Sequence, residues 1–411
     1  MEKFEILKPY NLLLIRYGEI WLKSQKIKVR MLKRLIENIK ILLKINEIAY
    51  HKYQISKDSS RIFFFFKNED LSKSIKIINN TFGVYSVSPA LRTSNKIENI
   101  IERTVEISKS ILTRGDSFAV RVKRSGKHNY TSLEIAKKVG EAILKNFNHL
   151  DLKVNLSSPK KKLYIEIRND FSYIFTQIIN SEWGGLPIES NKNIIALDVG
   201  RTVDLLAGFL LMRRGCSIYP ILFDMMGDQE ILKNRINNWK QVLKYYPSFS
   251  YKLFIFDVKG VLQDIWNSLD DKGLMCGVCR LIRFMIANES KLKINEFGKF
   301  RNVAFTDGLN VNSTFPCNDS VDLDSIILNN RLFNNLTLTP LIGLTKKQII
   351  DMMVKISPEI KELNYCPFKP KNQYFDIEKI LKLMNALNIR KHINDIFNNL
   401  EIFHIKNIKM S

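Results

Sequence analysis

The period of the apolar positions changes several times along the first 180 residues, and each change marks an element. Asn11-Leu-Leu-Leu-Ile-Arg16 is a continuous apolar run between Pro9 and Gly18 and reads as a buried strand. From Ser24, a suitable cap, to about Lys44 the period becomes helical. Leu32, Leu35, Ile36, Ile39, Leu42 and Leu43 share one face, with Lys and Arg between them. Ile62–Phe66 is a β-prone run; its phenylalanines read as core rather than as a base-stacking platform. A short helix over residues 72–79 ends before Gly83, and Val84–Val87 is a further strand. This β-α-β-α-β order suits a small α+β sandwich of about 90 residues.

A second unit opens with a helix over residues 97–112, closed by Arg114-Gly115. Residues 117–124 alternate, with Phe118, Val120 and Val122 on one face and Arg121 and Lys123 on the other. A helix over 132–146 and strands over 154–156 and 163–167 follow. Gly184-Gly-Leu-Pro187 then breaks the chain, and the pattern turns into alternating strand and helix. Strands are expected at 194–197, 218–223, 253–256 and 303–305. Helices are expected at 202–214, 231–245 and near 279–288. That alternation predicts a parallel sheet with ligands at the strand C-terminal ends.

The 411 residues carry 45% hydrophobic and 26% charged side chains, enough for buried cores and against global disorder. No uncharged apolar run approaches the ~18 residues of a membrane span, and Met1-Glu-Lys-Phe-Glu lacks signal-peptide features. A cytosolic protein without membrane attachment is expected. The net charge of +23 is uneven: residues 1–200 hold +15 and the remainder +8. A basic excess of this kind points to a polyanion, most simply nucleic acid; a Lys-rich genome is the competing explanation.

Arg121, Lys123, Arg124, Lys127, His128 and Tyr130 pack cations and an aromatic ring into one strand and turn, a composition suited to RNA phosphates. The alternative is a sheet edge guarded by charge. Lys160, Lys161 and Lys162 form a second basic cluster behind Pro159. Cys276-Gly-Val-Cys279 places two thiols close enough to share a metal centre, although by itself a CxxC also fits a redox pair or coincidence. Cys216, Cys317 and Cys366 are scattered; Cys216, ahead of an apolar strand, reads as buried and inert.

Several of these stretches resemble one family. Arg16-Tyr-Gly-Glu-Ile followed by a basic helix is similar to the opening of the ThiI family, tRNA 4-thiouridine synthetases that modify uridine 8. Phe118-Ala-Val-Arg-Val-Lys-Arg-Ser-Gly-Lys-His-Asn-Tyr-Thr-Ser, Leu163-Tyr-Ile-Glu-Ile-Arg and Trp183-Gly-Gly-Leu-Pro resemble a THUMP RNA-binding domain. Arg213-Arg-Gly-Cys-Ser-Ile-Tyr-Pro-Ile-Leu-Phe-Asp and Leu338-Thr-Pro-Leu-Ile-Gly-Leu-Thr-Lys-Lys-Gln-Ile-Ile resemble its ATP-pyrophosphatase (PP-loop) domain.

The resemblance implies an α+β N-terminal half, ferredoxin-like over 1–92 and THUMP over 93–182. A divergent Rossmann-like α/β adenylation domain with a parallel sheet would occupy 183–411. It implies ATP with Mg as cofactor, tRNA as partner, a sulfur donor (sulfide or a cysteine desulfurase) and a homodimer as a further expected assembly. Arg121, Lys123, Arg124, Lys127 and Lys160–Lys162 would hold tRNA. The family's phosphate loop, Ser-Gly-Gly-x-Asp-Ser, corresponds to Val199-Gly-Arg-Thr-Val-Asp204, where Arg201 replaces a glycine and Asp204 a serine. Asp198, Val199, Gly200, Phe223 (near the adenine), Arg280 and Gly308 are the implied ATP-site residues. Gly308 belongs to Thr306-Asp-Gly-Leu-Asn-Val-Asn-Ser-Thr, which stands where the family has Thr-Gly-Glu/Asp-Ser-Leu-Gly-Gln.

In rhodanese-free members a CxxC and one distant cysteine ligate an iron–sulfur cluster. Cys276, Cys279 and Cys366 would then be both metal ligands and catalytic residues of a 4Fe-4S centre. Zinc, with Cys317 as fourth ligand, is the alternative. No rhodanese domain is expected here, which weighs against a role in thiamine synthesis. The altered loop keeps a second function open: a tRNA-binding protein that delivers sulfur or acts as an RNA chaperone without adenylation.

Overall fold

The computed structural model describes residues 9–294, 297, 303–310, 335–363, 366–386 and 389–410. The chain divides into two compact units, Met1–Leu186 and Pro187–Ser411.

The first unit runs β1 (Leu12–Tyr17), α1 (Gln25–Ile45), β2 (Lys52–Ile55), β3 (Ile62–Phe65), α2 (Asn68–Asn79) and β4 (Val84–Ser94). It continues through α3 (Ile97–Ile111), β5 (Ser117–Ser125), α4 (Ser132–Asn146), β6 (Lys153–Val154), β7 (Lys161–Arg168), β8 (Phe171–Phe175) and β9 (Ile179–Asn180). The strands pair in the order β2-β3-β1-β4-β8-β7-β5-β6, with β9 also on β4. Strand β4 joins the two halves: Val84–Ala90 pair with β1, and Leu91–Ser94 with β8. It therefore runs through the 92/93 boundary expected from sequence. The phenylalanine run is core, Phe63–Phe66 being buried and the Phe63 ring stacking on Tyr173 at 4.2 Å between centroids. Helix α4 begins on a capping box, Thr131 accepting from the Glu134 N–H while the Glu134 carboxylate accepts from the Thr131 N–H.

The second unit runs β10 (Asn193–Asp198), α5 (Thr202–Arg213), β11 (Ser217–Asp224), α6 (Gln229–Leu243), β12 (Ser250–Asp257), α7 (Lys259–Ser268), α8 (Met275–Lys293), β13 (Val303–Thr306) and β14 (Thr337–Leu338). Then come α9 (Lys346–Ile356), α10 (Ile377–Ala386), α11 (Ile389–Asn398) and β15 (Glu401–Lys406). The sheet order is β14-β13-β10-β11-β12-β15. All pairs are parallel except β12–β15, so the expected parallel sheet carries one antiparallel edge strand. Helix α5 is apolar on nearly every side because it is buried on nearly every side. From β10 the chain passes to β11 on one flank and later to β13 on the other. That reversal opens a crevice at the C-terminal end of β10, where open α/β sheets take their ligands.

Candidate functional site

At that crevice lies a small open cavity lined by Val199, Met225, Met275, Cys276, Cys279, Arg283, Cys366 and Phe368. The CxxC comes from the first turns of α8, which begins at Met275 rather than near residue 279 as the periodicity suggested. The helix follows directly on a 3-10 turn over Lys272–Leu274, with the Met275 N–H donating to the Lys272 carbonyl, so it is the positive end of the α8 dipole that favours an anion there. Gly277, between the cysteines, lets α10 come close: a Cβ here would collide with Ile380 and sit 3.2 Å from the Phe375 ring. Cys366 arrives from a loop ninety residues later to line the same cavity. The Cys276 thiol donates to Gln373 Oε1 at 3.4 Å, and Arg283 Nε donates to the Cys279 carbonyl.

Three thiols lining one cavity are the donor type that iron–sulfur clusters and zinc both take. Among the described residues no three His, Cys, Asp or Glu side chains stand close enough together to hold a metal ion as they are placed. Cys317, the fourth ligand of the zinc alternative, lies outside the described residues. Cys216 is buried, and burial pushes its thiol pKa up, with Lys192 and Arg214 opposing.

The loop between β10 and α5 has a different chemistry. Gly200 takes φ +95, a conformation that favours glycine. The Gly200 N–H donates to Asp198 Oδ1. The Val199 N–H donates to Asp204 Oδ2 at 3.1 Å, and the Gly308 N–H donates to Asp204 Oδ1 at 2.8 Å. Arg201 turns inward and grips the same carboxylate through Nε (3.2 Å) and Nη2 (2.6 Å). Gly308 presses on the first turn of α5, where a Cβ would stand 2.6 Å from Val203.

Around this seat Arg235 Nη1 donates to the Phe223 carbonyl at 2.8 Å and Nη2 to the Asp198 carbonyl at 2.7 Å. Trp239 Nε1 donates to Asp198 Oδ2 at 2.7 Å. Arg280 pairs with Asp307 at 2.9 Å. Burial raises the Asp198 pKa, Arg235 opposing and Asp204 adding to the rise. For Asp307 burial is also the largest influence, yet Arg280, Arg201 and Arg283 together hold it below the usual carboxylate range.

The implied ATP-site residues are placed as follows. Phe223 is wholly buried in the sheet, near Phe256. Arg280 is 1% exposed and engaged with Asp307. Asp198, Val199, Gly200 and Gly308 do gather at the loop, but their polar groups are satisfied by the chain itself.

In the first unit Arg121, Lys123, Arg124 and Lys127 are exposed on β5 and the turn after it. Arg121 donates to the Leu156 carbonyl, and Arg124 to the His128 carbonyl at 3.2 Å. The turn itself is pinned: His128 Nε2 lies 2.9 Å from the Asn169 carbonyl, and Tyr130 donates to the Asn95 carbonyl at 2.6 Å. Of the lysine cluster, Lys162 is exposed and Lys161 half-buried. Lys160 is exposed as well, and its ammonium pairs with the buried Asp116 at 2.6 Å. Sequence reasoning missed Glu166 altogether. It is buried and accepts from Arg16 (2.9 Å), Arg61 (3.0 Å) and Arg168 (2.9 Å). Burial would raise its pKa, but the three guanidiniums bring it down to about 2.

The class the fold defines is a basic α+β unit coupled to a Rossmann-like α/β unit with a cysteine-lined crevice. Sequence comparison makes this specific. A ThiI ferredoxin-like domain matches residues 12–88, a THUMP domain 94–177, and a ThiI domain, described as thiamine biosynthesis protein, 201–379. A probable tRNA sulfurtransferase of Methanocaldococcus jannaschii is 31% identical over 393 residues, covering 90% of this chain and 95% of that one. One from Saccharolobus solfataricus is 29% identical over 379 residues, covering 90% and 94%. The chain belongs to the ThiI family, whose members carry the name tRNA sulfurtransferase.

Among solved structures, a 4-thiouridine synthetase–RNA complex with bound ATP superposes with a TM-score of 0.77 at 18% identity, covering 97% of this chain and all of that one. A Pyrococcus horikoshii protein matches at 0.62 and 25% identity, covering 84% and 99%. The fold is thus the expected one: ferredoxin-like and THUMP parts, then a PP-loop domain. Among the described residues no helix is long and apolar enough to cross a membrane.

Proposed function

We propose that the protein transfers sulfur to tRNA, converting uridine 8 to 4-thiouridine with ATP as activating co-substrate. The observation that carries this reading is that Cys276, Cys279 and Cys366 line one cavity together with Val199 of the β10–α5 loop. In the exchange, uridine O4 takes the adenylyl group and releases pyrophosphate; sulfide then displaces AMP from C4. One oxygen is replaced by one sulfur, with no net oxidation or reduction. The three cysteines would hold a 4Fe-4S cluster, which supplies an open iron where exogenous sulfide can reside. The start of α8 and Arg283 favour an anion in that cavity. Arg121, Lys123, Arg124 and Lys127 hold RNA phosphates without reading sequence.

For the nucleotide, the N–H groups of Val199 and Gly308 converge on one anionic seat, and a carboxylate is what they hold now. The seat suits a phosphate oxygen in charge and hydrogen bonding. Its occupation by Asp204 favours a second reading, a sulfur-delivering or chaperone-like tRNA binder without adenylation. Anaerobic assay of tRNA-dependent AMP release, with sulfide and reconstituted cluster, separates the two. AMP together with 4-thiouridine supports the synthetase. Tight tRNA binding and retained sulfide without AMP support the second reading.

A further inference from the structure

We propose that Asp204 is a built-in competitor for the nucleotide's phosphate, so that ATP enters the β10–α5 loop only by displacing this carboxylate. The inference rests on the same loop being the nucleotide seat, and it names the residue that governs entry.

Asp204 lies in the first turn of α5, where its own N–H donates to the Arg201 carbonyl at 3.1 Å while its carboxylate reaches back to N–H groups outside the helix. Such a turn is the ordinary landing place for a phosphate, because both the N–H groups and the helix dipole favour negative charge. Here the negative charge is covalently attached. One carboxylate oxygen takes the Val199 N–H and Arg201 Nε; the other takes the Gly308 N–H and Arg201 Nη2. Two backbone donors and a side-on guanidinium around two oxygens are what a phosphate group would find in the same place.

The rest of the cluster shows that the seat is built for an anion and not merely collapsed. Arg201, Arg235, Arg280 and Arg283 face three carboxylates, Asp198, Asp204 and Asp307, and all seven side chains are buried. The formal balance is one positive charge in excess with Asp204 in place, and two without its charge. Gly308 completes the closure: a Cβ there would strike Val203, so the loop after β13 lies directly on the helix start. Displacing Asp204 costs its charge-assisted hydrogen bonds, which a triphosphate must replace in kind. Nucleotide affinity is therefore weakened in the native chain.

The test is MgATP binding to the full-length protein by calorimetry, comparing wild type with Asp204→Asn. Asparagine keeps the shape and one acceptor oxygen but removes the charge. The expected result is weak binding by wild type and a gain of roughly tenfold or more in Asp204→Asn. A folded Asp204→Asn that binds MgATP no better than wild type overturns the proposal. So does tight, low-micromolar binding by wild type, which needs no variant to be read. Should Asp204→Asn fail to fold, Asp204→Ser, which restores the serine the family's loop carries, is read in the same way. If neither wild type nor a folded variant binds MgATP while tRNA and sulfide are still held, Asp204 is not what keeps nucleotide out. The second, non-adenylating reading is then the one supported, since it is scored by tRNA binding and retained sulfide and not by nucleotide affinity.

Discussion

Glu166 sits beneath three guanidiniums, and its geometry sets how the first unit responds to acid. In an unfolded chain its carboxyl titrates near 4.5; in the folded protein it titrates at about 2. A depressed carboxylate stabilises the fold fully above the unfolded value, and that stabilisation is lost as pH falls from about 4.5 towards 2. The difference corresponds to ~3 kcal/mol. Thermal melts across this window are expected to fall steeply for wild type and more shallowly for Glu166→Gln. At pH 7 the variant is expected to be less stable by roughly 3 kcal/mol, because three half-buried arginines lose their common partner. Equal stability of the two proteins at pH 7 would contradict the hub role. Cysteine exposure makes a second residue-scale prediction. Iodoacetamide should modify the part-exposed Cys276, Cys279 and Cys366 well before Cys216, which is buried and whose thiolate burial disfavours. Mass spectrometry of a time course reads the order directly.

At the scale of elements, the sequence pattern located what is local and missed what is not. The runs forming β1, β3, β5 and β10 and the periodic faces of α1, α3 and α4 were legible, because each announces itself within its own residues. Strand β2, Lys52-Tyr-Gln-Ile, alternates weakly and is half exposed, so only its pairing with β3 reveals it. Strand β15 is polar and exposed over most of its length and exists through pairing with β12, some 150 residues earlier. Strand β8 follows a two-residue turn from β7, and residues 169–170 carry no glycine or proline to mark it. The site divides in the same way. The three cysteines could be named from the chain, and Asp204 could be seen as an ill-placed charge. That Asp204 turns inward onto Val199 and Gly308, with Arg201 behind it, depends on a hydrogen bond across a hundred residues.

Gly277 was equally silent, although it fixes the approach of α10 to the cysteine-bearing turn. Gly277→Ala is expected to cost about 1–3 kcal/mol through overpacking against Ile380 and Phe375. It should also lower reconstituted cluster content with every cysteine intact. Unchanged melting and unchanged iron would mean that α10 yields freely.

For the whole molecule, residues 1–200 carry +15, and most of them lie in the unit that holds the THUMP domain, while the three cysteines of the proposed sulfur site lie in the unit that follows. Charge reversal at Arg121 and Lys123 should weaken tRNA binding and flatten its dependence on salt. The logarithmic slope should fall by roughly 0.7–0.9 for each phosphate that is no longer neutralised. An unchanged slope would assign those residues to the sheet edge alone.

The central claim is that Cys276, Cys279 and Cys366 together form the sulfur-holding centre. Its most direct measurement is iron and acid-labile sulfide per chain after anaerobic reconstitution. Wild type is to be compared with single alanine variants of these three and of Cys216. The account predicts that each of the three substitutions removes most of the iron and sulfide, while Cys216→Ala retains the wild-type content. Equal content in all the variants, or none in wild type, would contradict it.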